Sequence, residues 1–75
     1  MERAAIEQHL AEAERHVTQS EGLVRRQREV VQQLERDGHD TALAKVLLTE
    51  LERSLALHRL DCKRTREQLE RFRHA

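Results

Sequence analysis

A histidine and a cysteine in the second half of the chain are the clearest candidates for chemistry. His58 and Cys62 are four residues apart, so they share one face if this segment is a helix. His16 approaches them if the first half of the chain packs antiparallel to the second. Imidazole and thiolate suit Zn²⁺, but a zinc site needs a fourth ligand, and none lies in the same layer. We therefore expect these residues to pack in the core, with no bound metal ion and no cofactor.

Ser20 and His58 have the residue types of a nucleophile and its general base. Catalysis by such a pair also needs a group that orients the base and donors that stabilise an oxyanion, and the sequence supplies neither. We interpret the pair as a hydroxyl–imidazole hydrogen bond within a polar layer of the core. The sequence therefore predicts a protein that is not an enzyme, with no catalytic residues.

Two clusters of basic residues are the remaining candidates for ligand binding. The first contains Arg25, Arg26 and Arg28, and the second contains Lys63, Arg64 and Arg66. Clustered bases can neutralise phosphates. The chain, however, has 14 basic and 14 acidic residues, and one aromatic side chain that could stack on bases. A charged helix face in water is the favoured interpretation, and nucleic-acid binding is the alternative.

Candidate core positions recur along the chain at alternating steps of four and three residues. The first series runs from Ile6 to Leu34 and the second from Ala44 to Phe72. This is the spacing of helices that pack along a left-handed seam. We predict an all-α fold, a coiled-coil-like antiparallel hairpin that forms a single domain over residues 1–75. Its expected elements are helix 1 at about 2–37, the turn at 38–40 and helix 2 at about 41–73.

The turn and the charges fix how the two helices should meet. Gly38 suits the left-handed position after a helix, and Asp40 or Thr41 suits the N-cap of helix 2. A turn at Gly38–His39 gives partner positions that sum to about 78 or 79, from Leu34 with Ala44 to Ile6 with Phe72. Residues 1–22 carry a net charge of −3 and residues 58–75 carry +3, so an antiparallel hairpin places opposite charges together.

The chain has more apolar residues than one seam can bury. Leu23 and Val30 lie beside the seam of helix 1, and Leu43 and Leu47 lie beside that of helix 2. Val46, Leu57 and Leu60 lie further round. We predict that two hairpins pair into a four-helix bundle, with Leu23, Val30, Leu43 and Leu47 in the interface of a homodimer. A different protein partner is a second possibility for this surface.

The remaining composition predicts a cytoplasmic protein. The single cysteine, Cys62, excludes an intrachain disulfide framework and fits a reducing compartment. No apolar run approaches the length of a membrane-spanning helix, and residues 1–5 lack the apolar segment of a signal peptide. We expect no contact with a membrane.

The residues around the turn read Glu35–Thr41 (ERDGHDT), preceded by Arg26–Glu29 (RQRE) and followed by Ala44–Leu48 (AKVLL). This segment resembles a group of small alphaproteobacterial helical-hairpin proteins, over roughly residues 9–69. The resemblance implies a bacterial cytoplasmic protein and transfers no site residues. In architecture the chain is also similar to the repressor-of-primer family of RNA-binding hairpin dimers. That likeness is one of shape, and a dimeric hairpin of this type that binds RNA or DNA is the alternative function.

Overall fold

Two long helices make up the part of the chain that the structure, a computed structural model, describes, which is residues 2–73. Helix α1 runs Arg3–Arg36 and helix α2 runs Ala42–Arg73. They lie side by side and antiparallel in a rod of 58 × 15 × 14 Å, and residues 2–73 contain no strand. The predicted all-α hairpin is confirmed. In the described range, neither helix carries a stretch long and apolar enough to cross a lipid bilayer.

The core of the hairpin is a single stripe on each helix. Every buried residue occupies a position in the two predicted series: Ile6, Ala13, Ser20, Val24 and Val31 on α1, and Leu55, Cys62, Thr65 and Leu69 on α2. Because each helix contacts only one neighbour, the stripe stays narrow and the flanking positions remain exposed.

Contacts between the helices define the register. Arg28 pairs with Glu52 and Glu21 with Arg59, and the residue numbers of each pair sum to 80. On the other side of the seam, His9 contacts Asp61, and these numbers sum to 70. The seam lies between the two flanks, so partners within it sum to about 75.

The predicted register, with sums of about 78 or 79, is therefore wrong by about one helical turn. It paired like positions of the heptad, whereas an antiparallel seam places an a position of one helix in the same layer as a d position of the other. Val17 and Cys62 still border one cavity. The side chain of Gln27 donates from Nε2 to the backbone carbonyl of Ala44 at 3.0 Å.

The expected pairing of Ile6 with Phe72 is wrong for the same reason. Ile6 is fully buried and borders a cavity with Thr65 and Gln68, and the observed register places it in one layer with the buried Leu69. Phe72 lies one turn beyond this layer, where α1 is just beginning. Its side chain is consequently 43 % exposed.

The end of α1 is closed by a Schellman motif. Gly38 has φ of +71°. The backbone N–H of His39 donates to the carbonyl of Leu34 at 2.9 Å, and that of Gly38 donates to Glu35 at 3.2 Å. These two bonds satisfy carbonyls that the last turn of a helix leaves without partners. The predicted left-handed role of Gly38 is confirmed.

Asp40 and Thr41 share the capping of α2. The Asp40 carboxylate accepts a hydrogen bond from the backbone N–H of Ala42 at 2.9 Å. The Thr41 carbonyl accepts the first helical bond, from the N–H of Lys45 at 2.9 Å. Thr41 therefore occupies the N-cap position, and the side chain of its neighbour Asp40 satisfies a free donor of the first turn. At the other end of the rod, α1 begins after Glu2 without a side-chain cap.

Gly22, in the middle of α1, is a tolerated glycine and not a point of close contact between the helices. A β-carbon built on Gly22 would meet only the Arg25 guanidinium, at 3.8 Å. This is ordinary van der Waals distance, so the position has room for a side chain.

One side of the hairpin, which we call the charged flank, is lined by oppositely charged partners. The register sum of 80 that holds for the two ion pairs extends along this side with a heptad period. At each of the five heptad positions along this side, the residues whose numbers sum to 80 are an acid and a base. The pairs are Glu7 with Arg73, Glu14 with Arg66, Glu21 with Arg59, Arg28 with Glu52, and Glu35 with Lys45. The net charges of −3 and +3 at the chain ends are thus part of a pattern that continues to the turn.

Replacing Gly38 by valine should destabilise the hairpin by about 1–2 kcal/mol, because the left-handed backbone places Cβ too close to the following carbonyl. No neighbouring atom lies within 4 Å of the new Cβ, so the effect comes from the backbone alone. Urea unfolding followed by circular dichroism, at one fixed protein concentration, measures it. Gly38→Asn is the matched control and should lose clearly less, because Asn tolerates this conformation. Equal losses in the two variants would contradict the explanation.

Reversing one charge of the charged flank should destabilise the fold, and reversing its partner should restore it. Glu21→Arg places two arginines together, and Arg59→Glu in the same chain re-forms the pair. Both side chains are about half exposed, so we expect a coupling free energy of about 0.5 kcal/mol in a double-mutant cycle. The coupling should fall when the salt concentration rises to about 1 M. A coupling of zero at low salt would show that the pair does not stabilise the hairpin.

Candidate protein-interaction surface

The side of the hairpin opposite the charged flank carries exposed apolar residues. The apolar flank, as we call it, consists of Leu23 and Val30 on α1 and Leu43 and Leu47 on α2. Their exposed fractions are 45 %, 46 %, 86 % and 49 %. Val46, Leu57 and Leu60 continue the surface around α2, with exposed fractions of 61 %, 68 % and 39 %. The residues predicted to lie beside the seam are therefore left uncovered by the fold.

Heptad spacing places the apolar flank on one side of the rod. Leu23 and Val30 follow His9 by two and three heptads, and Leu47 precedes Asp61 by two. His9 and Asp61 meet across the seam, and Leu23 and Leu47 occupy the equivalent positions nearer the turn. The half of the hairpin nearer the turn is thus two-sided, charged on one flank and apolar on the other.

The apolar flank has a polar end, which the sequence analysis missed. At the open end of the hairpin, His9 Nε2 lies 3.1 Å from Asp61 Oδ1 and 3.2 Å from Oδ2. Both side chains are about half exposed. The heptad positions alone could have revealed this contact, provided that the register had been known. The flank therefore changes from apolar near the turn to polar near the chain ends.

His16 and His58 come together, as predicted, but Cys62 does not complete a metal site with them. The two imidazole centroids are 5.3 Å apart. Cys62 is buried, and this desolvation raises the pKa of its thiol, with the nearby Arg66 acting in the opposite direction. Within residues 2–73, no three His, Cys, Asp or Glu side chains converge to hold a metal ion, and His74 lies outside this range.

Ser20 and His58 do not have the environment of a catalytic pair. Ser20 is buried in the seam. The ring of His58 lies next to that of His16, because these two residues are nearly opposite each other in the register. Ser20 lies about one helical turn from His16. The cavity nearest this layer, about 340 Å³ beside Cys62, is lined by charged-flank residues that include Glu14 and Arg66. The arrangement supplies neither an activated nucleophile nor an enclosed pocket for a substrate.

The two basic clusters do not converge into one basic surface. Within each cluster, the three side chains spread over nearly half of the helix circumference, because they lie at steps of one and two residues and each residue turns the helix by about 100°. Arg28 is paired with Glu52, and Arg66 faces the level of Glu14 on the charged flank. The remaining members are Arg25, Arg26, Lys63 and Arg64, which are exposed at different levels of the rod.

Comparison of the chain with protein-family models, with curated proteins and with solved structures finds no match.

The Cys62 thiol should react slowly with a disulfide reagent such as DTNB at pH 8. Burial restricts access, and the raised pKa lowers the fraction of thiolate, the reactive form. We expect labelling of the folded protein to be about 100-fold slower than labelling of the chain in urea, because reaction requires local opening. Native and unfolded rates within a few-fold of each other would contradict the burial of this residue.

Proposed function

We propose that this protein is a non-enzymatic helical hairpin that associates with a second copy through its apolar flank and acts through protein–protein contacts. We further propose that it serves as a small adaptor or regulator, in a bacterial cytoplasm as the resemblance at the turn implies for its location. The observation that carries the proposal is the concentration of exposed Leu and Val side chains on one side of the rod. Contiguous apolar surfaces of this kind are typical of interfaces.

The surface area of the hairpin supports association. A compact monomer of 8.9 kDa is expected to expose about 4,800 Å². The hairpin exposes 5797 Å². The difference, on the order of 1,000 Å², arises because two helices bury one interface only, and it is comparable to the surface that a specific protein–protein interface removes from water. A second hairpin on the apolar flank would give each helix a second neighbour.

The free energy available from the apolar flank is sufficient for a dimer. Leu23, Val30 and Leu47 are about half exposed and Leu43 is almost fully exposed, so covering each gains about 1–2.5 kcal/mol. Over both copies this amounts to on the order of 10 kcal/mol before the cost of association and ordering. We therefore expect a dissociation constant in the micromolar range.

Nucleic-acid binding is the alternative proposal, and the charge distribution supports it less. Two of the six basic side chains lie on the charged flank opposite acids, and the others are dispersed over the rod. Fluorescence anisotropy with mixed RNA and DNA at low and high salt separates the two proposals. Salt-sensitive binding below the micromolar range would favour the alternative.

Charged substitution in the apolar flank should dissociate the dimer. Leu47→Glu places a carboxylate in the interface twice, once from each copy, and should weaken association on the order of 100-fold. Sedimentation equilibrium at tens of micromolar should give twice the chain mass of 8.9 kDa for the natural protein and the single chain mass for the variant. The melting temperature should fall with it, because the isolated hairpin has a narrow core.

Ala56→Glu is the matched control for this experiment. Ala56 is exposed on the same helix, on the side of the charged flank, next to Glu52 and Arg59. The same charge introduced there should leave the dimer intact. A natural protein that stays monomeric at tens of micromolar while it melts cooperatively would reject self-association and leave the apolar flank to a different protein.

A further inference from the structure

We infer that the two hairpins of the dimer lie with their turns at the same end, related by a two-fold axis parallel to the rod. This inference rests on the self-association proposed above and specifies how the second copy docks. In this arrangement α1 of one copy faces α2 of the other across the apolar flank. Residues whose numbers sum to about 75 lie at the same level, as they do within one hairpin.

The distribution of apolar residues along the flank favours this orientation. Leu23, Val30, Leu43 and Leu47 all lie in the half of the rod nearer the turn, or at its middle. The pair of His9 and Asp61 occupies the open end of the same flank. A two-fold axis along the rod places apolar residues against apolar residues and the polar end against the polar end.

The reverse orientation, with the two rods overlapping along their full length, mismatches the same residues. A two-fold axis perpendicular to the rod at its middle pairs α1 with α1 of the partner, with residue numbers that sum to about 39. Leu23 of one copy would then face His16 of the other, and Val30 would face His9. Each contact covers an apolar side chain with an imidazole, which is then desolvated with no hydrogen-bond partner across the interface.

The charges outside the apolar residues also fit the inferred orientation. The row of α1 next to the apolar flank contains Glu12 and Arg26, and the equivalent row of α2 contains Arg64 and Glu50. Glu12 lies at the level of Arg64, and Arg26 at the level of Glu50, to within one residue of the register. Across the dimer, each acid of one copy therefore meets a base of the other. These side chains are on the surface, and their neighbours Gln8 and Arg53 hold Glu12 and Glu50 by contacts within one helix.

Charge complementarity alone does not select the orientation, because the perpendicular axis brings Glu12 level with Arg26 of the partner. The two orientations therefore predict different partners for Glu12, and this difference can be tested. In the inferred dimer Glu12 pairs with Arg64, and in the reverse dimer it pairs with Arg26. The apolar residues favour the inferred orientation, and the partner of Glu12 provides an independent test of it.

Pulsed electron spin resonance with one spin label at the turn measures the orientation directly. The label is attached to His39→Cys in a Cys62→Ala background, with dimer formation checked by sedimentation of the labelled protein. Turns at the same end should give a separation below about 35 Å, set by the width of a helical bundle and the label arms. Turns at opposite ends should give a separation near the 58 Å length of the rod.

The outcomes separate this inference from the proposed function. A dimer with the short distance supports both. A dimer with the long distance overturns the orientation and leaves self-association standing. A labelled protein that sediments as a monomer, like the natural chain, overturns self-association and the orientation together.

Charge reversals give an independent readout. Glu12→Arg should weaken the dimer about fivefold through its two symmetric sites, and Arg64→Glu added to it should restore the affinity. The matched control combines Arg26→Glu with Glu12→Arg. This double variant should weaken the dimer further, because the carboxylate introduced by Arg26→Glu lies opposite Glu50 of the other copy. Restoration by Arg26→Glu instead of Arg64→Glu would overturn the inferred orientation.

Discussion

A pair of helices has one interface, and this limit on burial governs the whole molecule. Each helix can bury one stripe of side chains against its single neighbour. The core therefore consists of one narrow seam that includes a serine, a threonine and a cysteine. The hydrophobic effect scales with the apolar area removed from water. The free energy gained by burying a seam this narrow therefore exceeds the cost of lost chain entropy by only a small margin. The other features of the chain supply what the seam lacks.

The turn and the charged flank supply specificity to a core that has little of its own. A seam of small and medium side chains could slide by a turn with modest loss of packing. The Schellman motif at Gly38 and the capping of α2 by Asp40 set where each helix stops and starts. The acid–base pattern of the charged flank and the bond from Gln27 to the Ala44 carbonyl then favour one alignment over its neighbours. The apolar flank takes no part in these contacts and stays exposed.

The sequence was sufficient for the helices, the turn and the exposed apolar residues, because each depends on local chemistry. Heptad spacing identified every buried residue, and Gly38 and Asp40 marked the ends of the helices. The register could not be predicted from local chemistry, since it depends on how five non-helical residues cross from one helix to the other. From this one error followed the misplaced Phe72, the expected bond between Ser20 and His58, and the unforeseen contact of His9 with Asp61. The charge pattern contained the information needed to correct it, because the flank pairs all acids with bases only at the observed alignment.

The sequence separation of the contacts has a consequence for how the hairpin folds. Near the turn, contacting residues such as Gln27 and Ala44 are 17 residues apart, whereas His9 and Asp61 at the open end are 52 apart. Closing a short loop loses less chain entropy than closing a long one, so pairing starts at the turn and advances towards the chain ends like a zipper. Unfolding retraces this path, from the chain ends towards the turn. The apolar flank is concentrated in the half that forms first, so the surface offered to a partner is complete before the termini have met.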